Sequence, residues 1–166
     1  LDPALPPRVA FAGVWHPVWD VVVGAAMPLI MAVYVGVAEE AASRAVAIAA
    51  RRRDSDVVAP VVGRMMNRLR VAKDTVAAMI ALSDDLAFDN TLAHTDEVLS
   101  RKTEAAEAAI DTVRLAMEAA GGAGYATSSG IERLFRDVHG ALYHPLPAAK
   151  QERMSGRVAL GLDPVG

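Results

Sequence analysis

The chain contains no cysteine, which excludes a disulfide framework, a thiolate nucleophile and any Cys-ligated zinc or iron–sulfur centre. Aromatic residues make up only 5%, and much of the apolar content is alanine. That composition disfavours a β-sandwich and suits closely packed helices. No excess of one charge is present: 17 Lys and Arg face 20 Asp and Glu, a formal net charge of -3. A dedicated nucleic-acid surface needs a basic excess, so no nucleic-acid partner is expected. The four histidines, His16, His94, His139 and His144, form neither an HExxH motif nor an i, i+4 pair, so no metal site is expected. The chain also lacks an initial methionine and starts at Leu1, which reads as a fragment, a cut domain or a processed product. What is present is 166 residues, 53% of them hydrophobic, enough for one domain with a sizeable core. Lack of cysteine is compatible with a reducing compartment, and a cytoplasmic location is the expectation.

One long apolar run needs a reading. Residues 21–38 carry no charge and would span roughly 27 Å as a helix, close to a bilayer core. Pro28 interrupts the run, Gly24 and Gly36 flank that proline, and acidic residues bound both ends (Asp20, Glu39, Glu40) without a Lys or Arg anchor. The run therefore reads as an apolar linker or strand followed by a buried helix beginning near Pro28, and no membrane partner is expected. Residues 1–13, with Pro3, Pro6 and Pro7, read as an extended arm, and Trp15-His16-Pro17 as a turn or extended entry.

Periodicity places the rest. Leu29, Ile30, Val33, Val37, Ala41, Ala45 and Ile48 form one helical stripe, ending at Arg51-Arg52-Arg53. Pro60 opens a second helix with Val62, Met65, Met66, Leu69, Ala72, Val76, Met79 and Ile80 as its apolar face, fading at Ser83-Asp84-Asp85. Thr95 reads as the N-cap of a third helix bearing Leu99, Thr103, Ala106, Ile110, Val113 and Met117, stopped by the Gly121-Gly122-Ala123-Gly124 loop. Ser129-Gly130-Ile131-Glu132 matches a capping box ahead of a short helix, with Glu132 and Arg136 spaced as a surface pair. Pro147 opens a last helix that Gly161 closes. The expected class is all-α, an up-down, four-helix-bundle-like domain.

Chemistry is sparse by spacing alone. Glu39-Glu40 and Asp84-Asp85 read as solvated faces, and His139 and His144 as one surface and one loop-packed residue. Arg51 to Arg53 read as a helix end, although three guanidinium groups together also suit a phosphate. The glycine loop admits two readings, a tight turn between helices or a cradle for an anion.

Around this loop the sequence resembles a known family. Ala119-Ala120-Gly121-Gly122-Ala123-Gly124-Tyr125, followed by Ile131-Glu132-Arg133-Leu134-Phe135-Arg136-Asp137, is similar to the GGxGY loop and ER-L-x-RD helix of the C-terminal domain of acyl-CoA dehydrogenases. Pro28, Gly36 and Arg52 match further upstream. The resemblance implies that residues 28–166 are the C-terminal helical bundle and that residues 1–27 are an extended linker leaving a middle β-domain. It implies a homo-oligomeric flavoprotein, dimer or tetramer, whose FAD phosphates meet Arg52 and whose Gly121, Gly122 and Gly124 approach a neighbouring subunit's FAD. The activity implied is an oxidoreductase acting on the CH–CH group of acyl-CoA thioesters, in fatty acid metabolism.

Departures from the family pattern define the alternatives. Counted without gaps from Arg136-Asp137, the family's catalytic Glu falls on Pro145, preceded by Tyr143-His144. A base supplied from the first bundle helix would be Glu40, or its neighbour Glu39. A flavin-dependent monooxygenase of the same fold would use His144, an imidazole suited to act as acid or hydrogen-bond donor. A non-catalytic scaffold or heteromeric subunit is the third reading.

Overall fold

The computed structural model describes residues 18–166. The expected arm at residues 1–13 and the Trp15-His16-Pro17 turn lie outside the described residues, as does His16. Six α-helices are described: α1 (Val18–Ala49), α2 (Val58–Ser83), α3 (Leu92–Ala120), α4 (Gly122–Tyr125), α5 (Ile131–Val138) and α6 (Ala148–Ala159). Among the described residues there is no strand. The class is all-α, as the sequence predicts.

The first helix begins ten residues earlier than expected. Residues 18–27 are helical, not an extended linker, and Pro28 lies inside α1. Asp20 sits in the first turn, where negative charge suits the positive end of the helix dipole, and its buried carboxylate accepts from Thr95 Oγ1. Pro28 has no N–H to give the carbonyl one turn back, on Gly24. Ser83 Oγ, at the end of α2, donates to that carbonyl at 3.3 Å and also lies 3.1 Å from Met79 O. The proline is tolerated where a neighbouring helix supplies a replacement donor. Gly24 also lets Phe88 close in, since a Cβ there would stand 2.5 Å from its ring. Phe88 in turn stacks on His94, with ring centroids 4.6 Å apart.

The core is built on α3, the central helix. Its buried set runs from Thr95, Val98 and Leu99 through Ala105, Ala106, Ala108 and Ala109 to Ala119 and Ala120, more than one face of the cylinder. Alanines let α1 and α2 approach on two sides while α5 and α6 close others. The stripe expected on α3 therefore covers only part of the truth: Ile110 and Met117 are half-buried, and the alanines beside them form the core. On α1 the stripe is rotated. Met27, Met31, Val35, Ala38, Ala41, Ala42 and Ala45 are buried, whereas Leu29 and Val33 point outward, 72% and 65% exposed. On α2, Met65, Leu69, Ala72, Val76 and Met79 are buried as expected, and Ile80 is exposed. By length and composition alone α1 is apolar enough to cross a membrane, but its inner face packs on α2 and α3.

Three local expectations are corrected. The N-cap of α3 is Thr91, whose side chain accepts from His94 N, and Thr95 is instead buried one turn inside. Ser129 does serve the start of α5, accepting from Ile131 N at 3.2 Å, but Glu132 accepts from Arg133 N rather than reaching back to a capping residue. Arg136 pairs with Asp137, not with Glu132.

Candidate functional site

The end of α1, the glycine loop after α3 and the segment joining α5 to α6 carry the residues singled out by sequence. Gly121 ends α3 with φ +62, a left-handed value that glycine adopts at little cost. The Gly122–Tyr125 stretch is then one turn of helix rather than an open loop. Two arginines of α1 and its extension hold this segment at either end. Arg52 Nη2 donates to Ala119 O at 2.8 Å, and Arg44 Nη1 donates to Ser129 O at 3.0 Å. Both carbonyls are loop or helix-end acceptors without a full set of partners of their own. Gly130, with φ +67, lies so close over Arg44 that a Cβ would clash with the guanidinium.

Arg52 therefore sits directly beneath Gly121, where a Cβ would lie 3.6 Å from the guanidinium nitrogens. It is solvent-exposed and spends one donor on Ala119, leaving further N–H groups of its fork for an anion. Gly122 faces open space, with nothing within 4 Å of where a Cβ would stand, and Gly124 packs tightly on Met117 and Ala120. Glu118, which precedes the loop, is tied by Arg64 at 3.1 Å and Arg114 at 3.8 Å, so its charge is balanced on the α2 side. Arg52 with an uncovered glycine turn above it fits a phosphate-bearing cofactor.

The second cluster lies around His144. Its Nε2 is 2.8 Å from the hydroxyl oxygen of Tyr34, which projects from the middle of α1. Gly140 makes room for that hydroxyl, since a Cβ there would stand 2.7 Å from it. Lys102, on α3, is 2% exposed and donates from Nζ to His144 O at 3.1 Å and to Leu146 O at 2.9 Å. Burial lowers the pKa of its ammonium below the ordinary lysine value. Side chain and backbone of the His144 segment are thus held from two different helices.

Neither Tyr34 nor Lys102 emerged from sequence. A signal existed for Lys102: it lies three residues after Leu99 and beside Thr103, in the apolar stripe of α3. Tyr34 is the sole aromatic of α1 beyond Trp19, in a helix otherwise built of small and aliphatic residues. Arg44 was likewise missed.

The other expected residues lie elsewhere. Glu40 accepts from Arg44 Nε at 2.7 Å and Glu39 from Lys73 Nζ at 2.6 Å; both carboxylates are half exposed, and no contact joins either to His144. His139 has its Nδ1 2.6 Å from Phe135 O, within its own helix end, and its ring tilts against Phe135. Arg51 and Arg53 are exposed, with no side-chain bond to the glycine loop.

Comparison with known proteins agrees with the helical plan. The profile of the acyl-CoA dehydrogenase C-terminal domain matches residues 25–142. Two solved structures of KijD3 are similar, one in complex with dTDP and one with FMN and dTDP-3-amino-2,3,6-trideoxy-4-keto-3-methyl-D-glucose. Each is 25% identical with a TM-score of 0.71 over 86% of this chain. The chain spans only 40% and 38% of those two structures, respectively. No curated protein matches. With the family profile covering most of α1 through α5 and the same helical plan found in KijD3, the chain belongs to the acyl-CoA dehydrogenase C-terminal domain family.

Proposed function

We propose that the full-length protein is a flavin-dependent oxidoreductase in which this domain forms one wall of the cofactor site and His144 acts where other members place a carboxylate. The observation that carries the reading is the Tyr34–His144 contact at 2.8 Å: an imidazole is held in place one residue before the position that the family pattern gives to glutamate, and proline occupies that position here. In this reading Arg52 meets the flavin phosphates and Gly121, Gly122 and Gly124 let the cofactor of a neighbouring subunit come close. A bound flavin, FAD or FMN, would supply the redox chemistry. The chain's own part is to bind phosphate, to orient an acid or hydrogen-bond donor at His144, and to exclude water around it. The FMN in one KijD3 structure supports a flavin, and its nucleotide-sugar ligand supports a substrate other than an acyl chain.

A second reading is the dehydrogenation of acyl-CoA thioesters, supported by the family profile itself. Its base from this domain would be Glu40, whose carboxylate is engaged by Arg44 and would have to exchange that partner for a substrate proton. Both readings place the bundle in a cytoplasmic homo-oligomer, dimer or tetramer.

The test is spectroscopic. The purified full-length protein is expected to carry, or take up on reconstitution, a yellow flavin, identified as FAD or FMN after release. Product formation that requires oxygen and reduced flavin, and that is lost in His144→Ala, supports the imidazole reading. Anaerobic bleaching by an acyl-CoA, with His144→Ala fully active and Glu40→Gln inactive, selects the second. A colourless protein that refuses both flavins refutes both and leaves the scaffold.

A further inference from the structure

Tyr34 and His144 are brought together across 110 residues of chain, and their rings meet at a tilt of 59° with centroids 5.5 Å apart. A hydroxyl within 2.8 Å of an imidazole nitrogen is either its donor or its acceptor. A phenol keeps its proton at neutral pH. Among the described residues, the polar atom set against the Tyr34 hydroxyl is Nε2 of His144. The nearby Lys102 Nζ is itself a donor, directed at the carbonyls of His144 and Leu146. The arrangement that leaves neither group dependent on solvent is O–H donating to an unprotonated Nε2. The neutral ring must then carry its proton on Nδ1.

We infer that Tyr34 is a positioning residue that fixes His144 as the Nδ1–H tautomer, so that the ring presents a donor, not a base, to whatever acceptor it meets. The free imidazole of a peptide histidine favours the proton on Nε2, so this tautomer is imposed by the fold. Two further contacts serve the same end. Gly140 has no side chain, which is what admits the Tyr34 hydroxyl at all. Lys102 clamps the backbone on both sides of Pro145, so the ring cannot drift from its partner by a movement of the loop. The functional meaning rests on the proposed flavin site; the tautomer does not. A donor at Nδ1 suits hydrogen bonding to a carbonyl or a developing negative charge, and it disfavours abstraction of an α-proton. The tautomer thereby argues against His144 as a base for thioester dehydrogenation.

The experiment uses the full-length protein labelled with nitrogen-15 in histidine, with the His144 ring signals identified by their loss in His144→Ala. Wild type is expected to show the proton on Nδ1. Tyr34→Phe, which removes only the hydroxyl, is expected to shift the tautomer ratio about tenfold toward Nε2–H, the worth of one hydrogen bond. Gly140→Ala keeps the tyrosine but pushes its hydroxyl away, and is expected to shift the ratio in the same direction. A wild-type ring protonated on Nε2 overturns the inference. So does a folded Tyr34→Phe or Gly140→Ala protein with an unchanged ratio. Titration with FAD or FMN separates the two claims. If the His144 signals ignore the flavin while the tautomer behaves as expected, the placing of His144 in the cofactor site fails and the role of Tyr34 stands.

Discussion

Replacing Lys102 with methionine tests how a buried cation is tolerated in this bundle. Lys102 is 2% exposed, and its recorded partners are the carbonyls of His144 and Leu146, with no carboxylate among them. Holding an ammonium out of water costs several kcal/mol, and among the described residues no carboxylate pairs with it to offset that cost. Two charge-assisted bonds to carbonyls return about 1.5–3 kcal/mol each. The two sides nearly cancel, and methionine keeps most of the packed stem while removing both. Global stability of Lys102→Met at pH 7 is therefore expected within about 1 kcal/mol of wild type. The loss is local: the His144–Leu146 carbonyls lose both anchors, and amide exchange across residues 139–147 should quicken.

The pH dependence is sharper, because its sign is fixed. Burial lowers the Lys102 pKa in the folded state below its value in the unfolded chain. Below the folded value the native state carries the whole cost of the buried cation. Above the unfolded value, about 10.4, the amine is neutral in both states and the cost is gone. Between the two the unfolded chain binds more protons, so wild-type stability rises with pH, by at most about 1.4 kcal/mol per unit. The neutral amine still has two N–H groups for its two carbonyls. Lys102→Met lacks this titration, while every other group titrates alike in both proteins. Urea unfolding of the two proteins from pH 7 to 10 should show wild type gaining on the variant. A difference that stays flat, or turns against wild type, would refute the account of Lys102 as a buried cation held by carbonyls without a carboxylate partner.

Three further outcomes follow from the geometry. Ser83→Ala should cost about 1 kcal/mol in wild type, because it strips the donor from the carbonyl that Pro28 leaves open, and should cost nearly nothing in a Pro28→Ala background, where the backbone N–H returns; equal costs in both backgrounds, read by urea unfolding, would show that Ser83 does not serve that carbonyl. Gly24→Ala drives a Cβ to 2.5 Å from the Phe88 ring and should destabilise by about 1–3 kcal/mol, read as a lowered Tm with a displaced His94 ring signal. Arg52→Ala should weaken flavin binding by the full-length protein about tenfold to a hundredfold, the worth of a charge-assisted phosphate contact, and an unchanged Kd would confine Arg52 to capping α3.

The fold was legible because helix period and punctuation agree over most of the chain. Gly121 and Pro147 mark ends that the structure keeps, α2 starts two residues before Pro60, and the stripe on α2 is buried nearly as read. Legibility failed where residue type was ambiguous. Alanine marks a buried face no better than an exposed one, so α3 looked like a one-sided helix when it is packed on several sides. On α1 the stripe holds at Ala41 and Ala45 and partly at Ile30, Val37 and Ile48, but Leu29 and Val33 point outward while Met27, Met31 and Val35 face the core. Pro28 was taken for a helix start because local rules assume that its missing hydrogen bond goes unanswered, yet Ser83, 59 residues away, answers it.

The candidate site shows the same divide. Gly121, Gly124 and Arg52 were visible because their backbone needs and their family spacing are local properties, and the structure brings the arginine under the glycine turn. Glu40 was chosen as the available acid on the right helix, but four residues on stands Arg44, and an i, i+4 ion pair claims the carboxylate. Counting along the chain points to His144, whereas the contacts that hold it come from Tyr34 and Lys102, 110 and 42 residues away. Sequence spacing locates a side chain; its hydrogen-bond partners decide whether it is an acid, a base or a filler. His144 has its Nε2 against a phenol hydroxyl and its carbonyl against a buried ammonium, so ring and backbone are tied to two different helices. Because these contacts constrain both ring and backbone, the Tyr34–His144–Lys102 cluster, more than the glycine loop, is where variants should separate function from stability.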